Sequence, residues 1–356
     1  MWEQPDTPSY ANGAKLLLGF DGEIDRLQRL TKPLSLLFPA ILYAIFGLDT
    51  IYGLWIQELI AYFACGFLMF HILHAFLANR RHAYWGTVAY MLCQPMAIFG
   101  VLPMIDSLGW AISLGGILLS IQVLNKSQFR FWCFHLVGWY LGIGFFAKES
   151  ILTAGAFLFL SILLEQDSFF NKVKRYVAVG LGFIPPILLI SAFTHYQYGV
   201  SFLTWLSFNH TDPVQYNQPI KAYLMQSFRF LDLYWLLVAV GGFVFVKQCR
   251  EKLLSRTHIS FVLTGIICLL VYPFIWPYYF DRILFMFAPF FILLVCMSLD
   301  YIQKLSGLTI LFAGLSNLLF TYGIYAYQIT GLIISAIGGY SVFLIGVLVY
   351  NWKVKD

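Results

Sequence analysis

Charge is what this sequence has least of. Asp, Glu, Lys and Arg together make up 11% of its 356 residues, against about 25% in soluble globular chains. That scarcity excludes a disordered, collagen-like or DNA-binding protein. Cysteine is also sparse: Cys65, Cys93, Cys133, Cys249, Cys268 and Cys296 are spread singly, with no C-x-x-C or C-x-x-H spacing. A zinc site and a disulfide framework are thereby ruled out, and the thiols read as small apolar side chains. Strand-like alternation is missing, as are G-x-G-x-x-G and G-x-x-x-x-G-K-[ST], so the chain carries no nucleotide-binding domain.

Apolar residues take the space that charge leaves. They account for 60% of the chain, and mean hydropathy is +0.77. Since a helix needs about 20 apolar residues to cross hydrocarbon, the runs at 51–77, 84–103, 107–125, 131–147, 150–165, 175–196, 230–248, 259–276, 283–299, 305–325 and 328–350 read as spans. The expected fold is an all-α polytopic membrane protein of about eleven transmembrane helices. The 33–48 segment, apolar but short and opening at Pro33, reads as an added interfacial, half-inserted helix.

Lysine and arginine orient the set. Fourteen of them (Arg80, Arg81, Lys126, Arg130, Lys172, Lys174, Arg175, Lys247, Arg250, Lys252, Arg256, Lys304, Lys353 and Lys355) fall in alternate connections with five acids, leaving 8 cations and 12 acids opposite. By the positive-inside rule the first set is cytoplasmic. Residues 1–50 then form an extracytoplasmic loop with an amphipathic helix. The multi-span domain covers 51–356, with a second extracytoplasmic loop at about 197–229. A chain starting outside with no preceding span is hard to translocate, which leads to the expectation of a first transmembrane helix ahead of Met1.

The polar residues of the outer side are the candidate site. Asp106 lies in the turn VLPMIDSLG, Lys148-Glu149 in FFAKES and Asp281-Arg282 in PYYFDR, while the two loops add Asp6, His210 and Asp212. Any one of these is an ordinary solvated turn residue when taken alone. Lys148-Glu149 is harder to dismiss: short spans on either side hold the turn below the membrane surface, where charges persist only if paired or serving a ligand. Arg282 follows Trp276, Tyr278, Tyr279 and Phe280, and could be either an interfacial anchor or a phosphate-binding group.

Taken in order, these residues resemble a known family. Pro5-Asp6-x3-Tyr10, Ala11 to Leu18, Lys32-Pro33-Leu34 and Phe46-Gly47 are similar to the first extracytoplasmic loop of GT-C glycosyltransferases, such as the lipid A aminoarabinose and protein O-mannosyltransferases. Asp106, the run Gly142-x-Gly144-Phe-Phe-Ala-Lys148-Glu149, Tyr196-x-Tyr198-Gly199 before His210, and Tyr279-x2-Arg282 continue the resemblance. It implies transfer of a sugar from a polyprenyl-phosphate carrier to a lipid, glycan or protein acceptor outside the cell membrane, with inversion. Asp6 would then be the base that deprotonates the acceptor, with Asp106 as second carboxylate. Lys148 and Arg282 would bind the donor phosphate. Tyr10, Glu149, His210 and Tyr279 would contact substrate, and a divalent metal would have Asp6 and Asp106 as its ligands. A transporter or flippase and a polysaccharide polymerase are the competing classes. One-sided collection of charge weighs against a conduit, and the few arginines of the 197–229 loop weigh against a polymerase.

The charge asymmetry predicts that residues 1–32 and 197–229 face one side. Single cysteines placed at Asn12 and Asn217 are expected to react alike with a membrane-impermeant maleimide. Labelling of one without the other would separate the two loops.

Overall fold

The computed structural model describes residues 6–20, 27–125, 130–201, 220–275, 280–302, 305–322 and 330–353, and among them every regular element is helical. Helix α1 (Thr7–Leu17) has a proline in its first turn, where a missing N–H costs nothing. A 3₁₀ turn, Leu27–Thr31, leads into α2 (Pro33–Phe46), which Gly47 ends in the left-handed conformation at φ 65°. Asp49 accepts the Ile51 N–H at 2.9 Å and starts α3 (Thr50–Phe76). Tyr10, Ala11, Ala14, Leu36 and Ala40 pack with Leu54 and Ile105 into a small apolar cluster of their own. That cluster seats α1 and α2 across one end of the bundle.

The run expected as a single span over 84–103 is broken. It divides into α4 (Arg80–Met91) and α5 (Gln94–Phe99), with Cys93 extended between them, because Pro95 cannot donate to the helix ladder and its ring would crowd the carbonyl four residues back. Next come α6 (Asp106–Leu124), α7 (Phe131–Phe145), a 3₁₀ turn at Glu149–Ile151, α8 (Leu152–Leu164) and the long α9 (Phe169–Tyr198). The remaining elements are α10 (Ile220–Arg229), α11 (Tyr234–Arg250), α12 (Arg256–Ile275), α13 (Asp281–Leu284), α14 (Ala288–Ile302), α15 (Ser306–Tyr322) and α16 (Thr330–Lys353).

Among the described residues each of the eleven expected runs is mostly helical. Five helical stretches among those residues are long and apolar enough to cross a membrane: Thr50–Phe76, Asp106–Leu124, Phe169–Tyr198, Arg256–Ile275 and Asp281–Asp300. The pair α10 and α11, bent by 85°, makes a sixth if it is one broken span. Helices α7 and α8 have only 15 and 13 residues. Most residues of the Asp281–Asp300 stretch are buried, and it forms the centre of the bundle. At its start Phe285 stacks on Tyr90 and meets Trp110 edge-on, each at 4.8 Å, tying α4, α6 and the central stretch together beneath the charged end. Helices α7 and α9 approach backbone to backbone, because a Cβ on Gly138 would strike the Val179 carbonyl and one on Gly182 the His135 carbonyl.

The α10–α11 bend carries an oddity. Asp232 adopts φ 48° there, is 0% exposed, and neither carboxylate oxygen has a hydrogen-bond partner. An unpartnered buried carboxylate destabilises the fold, and asparagine tolerates the left-handed conformation nearly as well. Asp232→Asn is therefore expected to stabilise the purified protein by roughly 1–3 kcal/mol, read as a higher thermal midpoint. A lower midpoint would mean that the carboxylate is needed.

A candidate active site of linked ion pairs

The site is assembled from five places in the sequence. Asp6 stands immediately before α1, and the neighbouring Thr7 hydroxyl donates to the Pro103 carbonyl at 2.9 Å, fixing the start of α1 to the segment ahead of α6. The Asp6 carboxylate then takes two guanidiniums, Arg29 Nη2 at 2.8 Å and Arg282 Nη2 at 3.3 Å. Arg29, from the 3₁₀ turn, also donates to the Tyr10 hydroxyl at 2.6 Å and lies 4.5 Å from that ring's centre. Burial pushes the Tyr10 phenol far above its ordinary range, so it remains protonated and able to donate.

Arg282 bridges two carboxylates. Its Nη1 is 3.6 Å from Asp106 Oδ2, while Asp106 Oδ1 accepts from Lys148 Nζ. The backbone that carries Arg282 is steadied: its main-chain N–H donates to Asp281 Oδ1 at 2.8 Å, and the other Asp281 oxygen accepts from Gln94 Nε2 at 2.9 Å. The rings of Phe99 and Phe280 lie 5.8 Å from the Arg282 guanidinium. Lys148 reaches Asp106 across Gly109, where any Cβ would collide with the lysine stem. The result is one continuous chain of charge, Arg29–Asp6–Arg282–Asp106–Lys148.

A second pair adjoins it. Lys32 Nζ lies 3.0 Å from Glu149 Oε2, donates to the Phe145 carbonyl at 3.2 Å, and sits 4.5 Å from the Phe145 ring centre. Burial works to raise the Glu149 carboxyl, but Lys32 and Lys148 beside it hold it down at about 2. Exposure grades across the cluster. The side chains of Asp106, Lys32 and Lys148 are 4%, 7% and 11% exposed, whereas those of Arg282, Arg29 and Asp6 are 20–22% exposed and reachable.

Six residues singled out in the sequence thus meet: Asp6, Tyr10, Asp106, Lys148, Glu149 and Arg282. His210 and Tyr279 lie outside the described residues. Lys148 and Arg282, expected as cations poised for an anion, are each held by carboxylates of the chain. Arg29 and Lys32 join the cluster without having been singled out. The signal for Lys32 was its place in the Lys32-Pro33-Leu34 motif; Arg29, inside a polar loop of mixed charge, carried none. Asp6 and Asp106 suit a divalent metal poorly in this arrangement, since Arg282 already occupies the space between them. No cluster of three or more His, Cys, Asp or Glu occurs among the described residues.

No protein-family profile matches the sequence, and no curated relative matches it. Solved structures do match. ArnT from Cupriavidus metallidurans bound to undecaprenyl phosphate superposes with a TM-score of 0.66 at 11% identity, and the same protein in its apo state with 0.63 at 12%. Each match covers 99% of this chain and 68% of ArnT. The chain has a GT-C-like fold. Its helical architecture and apolar helices make it a multi-pass membrane protein. The GT-C-like frame brings the ends of α1, α2, α6, α8 and α13 together, and these are the places where the ion pairs sit.

The Lys32–Glu149 pair generates a stability prediction. Removing Glu149 leaves Lys32, 7% exposed, as a buried charge without its carboxylate, at a cost of about 3–5 kcal/mol, whereas replacing both with apolar groups of similar size costs far less. Glu149→Leu should lower the thermal midpoint sharply, and adding Lys32→Met should recover most of the loss. Because the Glu149 carboxyl is held below its ordinary value, its stabilising share is complete above about pH 4.3 and disappears as pH falls towards about 2. That acid-dependent share should be absent from the double variant. An equally steep acid slope in both proteins would place the dependence elsewhere.

Proposed function

We propose that this protein is a membrane glycosyltransferase. It moves a sugar from a polyprenyl-phosphate carrier to a lipid, glycan or protein acceptor on the extracytoplasmic side of the cell membrane. The observation that carries this reading is the linked set of four cations, Arg29, Lys32, Lys148 and Arg282, around Asp6 and Asp106 at one end of the bundle. The GT-C-like fold, met in a neighbour that binds undecaprenyl phosphate, supports the same class of donor. A polyprenyl-phosphate sugar brings its own activated bond, as a site facing away from soluble nucleotide sugars requires.

The chemistry follows from the geometry. The donor's phosphate oxygens compete with the carboxylates for Arg282 and Arg29, whose planar forks suit two oxygens at once. As these guanidiniums turn to the phosphate, Asp6 is freed to accept the proton of the acceptor hydroxyl. The oxygen attacks the anomeric carbon from the face opposite the phosphate, the carbon–oxygen bond to the carrier breaks, and the configuration inverts. Negative charge on the departing phosphate is met by Arg282, Lys148 and Lys32, fixed in a partly dehydrated site where such interactions exceed their strength in water. Tyr10, buried beside Arg29, is positioned to hydrogen-bond the sugar or phosphate.

Purified protein incubated with a panel of radiolabelled polyprenyl-phosphate sugars is expected to release free polyprenyl phosphate with at least one of them. Asp6→Asn should then lose about 10²–10⁴-fold in turnover while retaining the carrier. Arg282→Lys should also be strongly impaired, because one ammonium cannot replace a fork shared between Asp6, Asp106 and the phosphate. Wild-type turnover in Arg282→Lys would contradict the phosphate role, and more than half of wild-type turnover in Asp6→Asn would move the base elsewhere.

A further inference from the structure

Glu58 is the one acidic residue within α3, it is 0% exposed, and it touches none of the cations just described. Its carboxylate is spent on backbone. Oε2 accepts the Ser107 N–H at 2.7 Å and Oε1 the Leu108 N–H at 3.4 Å. Those are among the first N–H groups of α6, which have no partner within their own helix. Ile105, the residue ahead of α6, offers no side-chain cap. Glu58 thus caps α6 from a neighbouring helix, its two oxygens taking N–H groups that the helix itself leaves unpartnered. Ser107 is pinned further: its hydroxyl donates to the Gly100 carbonyl at 2.7 Å, and its carbonyl accepts from Cys65 Sγ at 3.6 Å.

The preceding residue does the same for another element. Gln57, 5% exposed, donates from Nε2 to the Ser35 carbonyl at 3.1 Å. Ser35 lies in the first turn of α2, and its hydroxyl donates back to the Lys32 carbonyl at 2.8 Å. Two adjacent side chains on α3 therefore hold the backbone that carries the two halves of the cation set. Glu58 holds the segment bearing Asp106, and through it Lys148 and Arg282; Gln57 holds the segment bearing Lys32.

We infer that Gln57 and Glu58 are positioning residues of the site: Glu58 sets the place of Asp106, and so of Lys148, by capping α6, and Gln57 sets the place of Lys32 by fixing α2. The inference rests on the proposed donor reading for its consequence in catalysis, but the positioning itself is testable without turnover. Neither residue touches substrate. Glu58 acts through Asp106, so changes at the two positions should not add.

The test is the reactivity of single lysine amines towards a water-soluble succinimidyl ester, followed by peptide mass spectrometry on the full-length protein in nanodiscs. Lys148 and Lys32, paired and little exposed, should label slowly in the wild type. Glu58→Gln, which places a donor where a backbone N–H must be accepted, should raise Lys148 labelling roughly ten-fold and leave Lys32 slow. Gln57→Leu should do the reverse. Asp106→Asn should raise Lys148 labelling to a similar degree, and the Glu58→Gln/Asp106→Asn double variant should label no faster than the faster single. General loosening of the fold would raise both lysines together, and independent action would make the double variant the product of the singles; either result overturns the inference. Should Glu58→Gln fail to fold, Glu58→Asp, which keeps the carboxyl group but withdraws it by one methylene, is expected to show the same Lys148-selective rise. In parallel, carrier release by wild type and Glu58→Gln separates the two claims. A wild type inactive with every donor would sink the donor reading and leave the labelling pattern to decide on positioning. Active wild type with unaltered Lys148 labelling in Glu58→Gln would sink positioning alone.

Discussion

Asp106 is the constraint on which the charged end of this bundle depends. It is 3% exposed at the first residue of α6, and a carboxylate there survives only because Lys148, from the turn after α7, and Arg282, from α13, reach it. Each of those contacts makes a demand on the fold. Lys148 needs the bare backbone of Gly109 to pass, and Arg282 needs the Asp281–Gln94 support at its main chain. The aromatic contacts of Phe285 with Tyr90 and Trp110 then set the central stretch at the depth where Arg282 meets Asp106. The apolar bundle and the polar site are parts of one packing solution.

Holding so much charge in a buried cluster is expensive, and a purely structural protein would be served as well by apolar contacts. The more exposed members are also the ones placed to exchange partners. Arg29, Asp6 and Arg282 form the outer edge of the network, while Asp106, Lys148 and Lys32 form its buried floor. In the proposed reaction an incoming phosphate displaces contacts at the edge and leaves the floor in place. Preorganisation of this kind is what electrostatic stabilisation of a leaving group requires.

Much of this was legible in the sequence, and what was not has physical causes. Helix locations followed from apolar runs, since each expected run is mostly helical among the described residues. The division of a run into pieces did not follow, because composition cannot distinguish a 20-residue span from shorter helices packed end on, as α4 and α5 show around Pro95. Lys148 and Glu149 were visible as charges where charge is costly, Asp106 and Arg282 as charges in outer turns, and Asp6 through the resemblance carried by Pro5-Asp6-x3-Tyr10. Which charge would pair with which was hidden, since Asp6 and Arg282 are 276 residues apart and only the fold decides their meeting. Glu58 was noticeable as an acid within an apolar run, yet its role as a cap on another helix depends on the register between α3 and α6, which periodicity does not encode.

The central claim is that the cation cluster recognises the phosphate of a polyprenyl carrier. Native mass spectrometry of the purified protein, offered polyprenyl phosphate and the matching polyprenyl alcohol in equal amounts, tests it without any assumption about sugar or acceptor. Selective retention of the phosphate, weakened in Arg282→Ala and by competing inorganic phosphate, is the predicted result. Equal retention of phosphate and alcohol, unaffected by the substitution, would contradict the account.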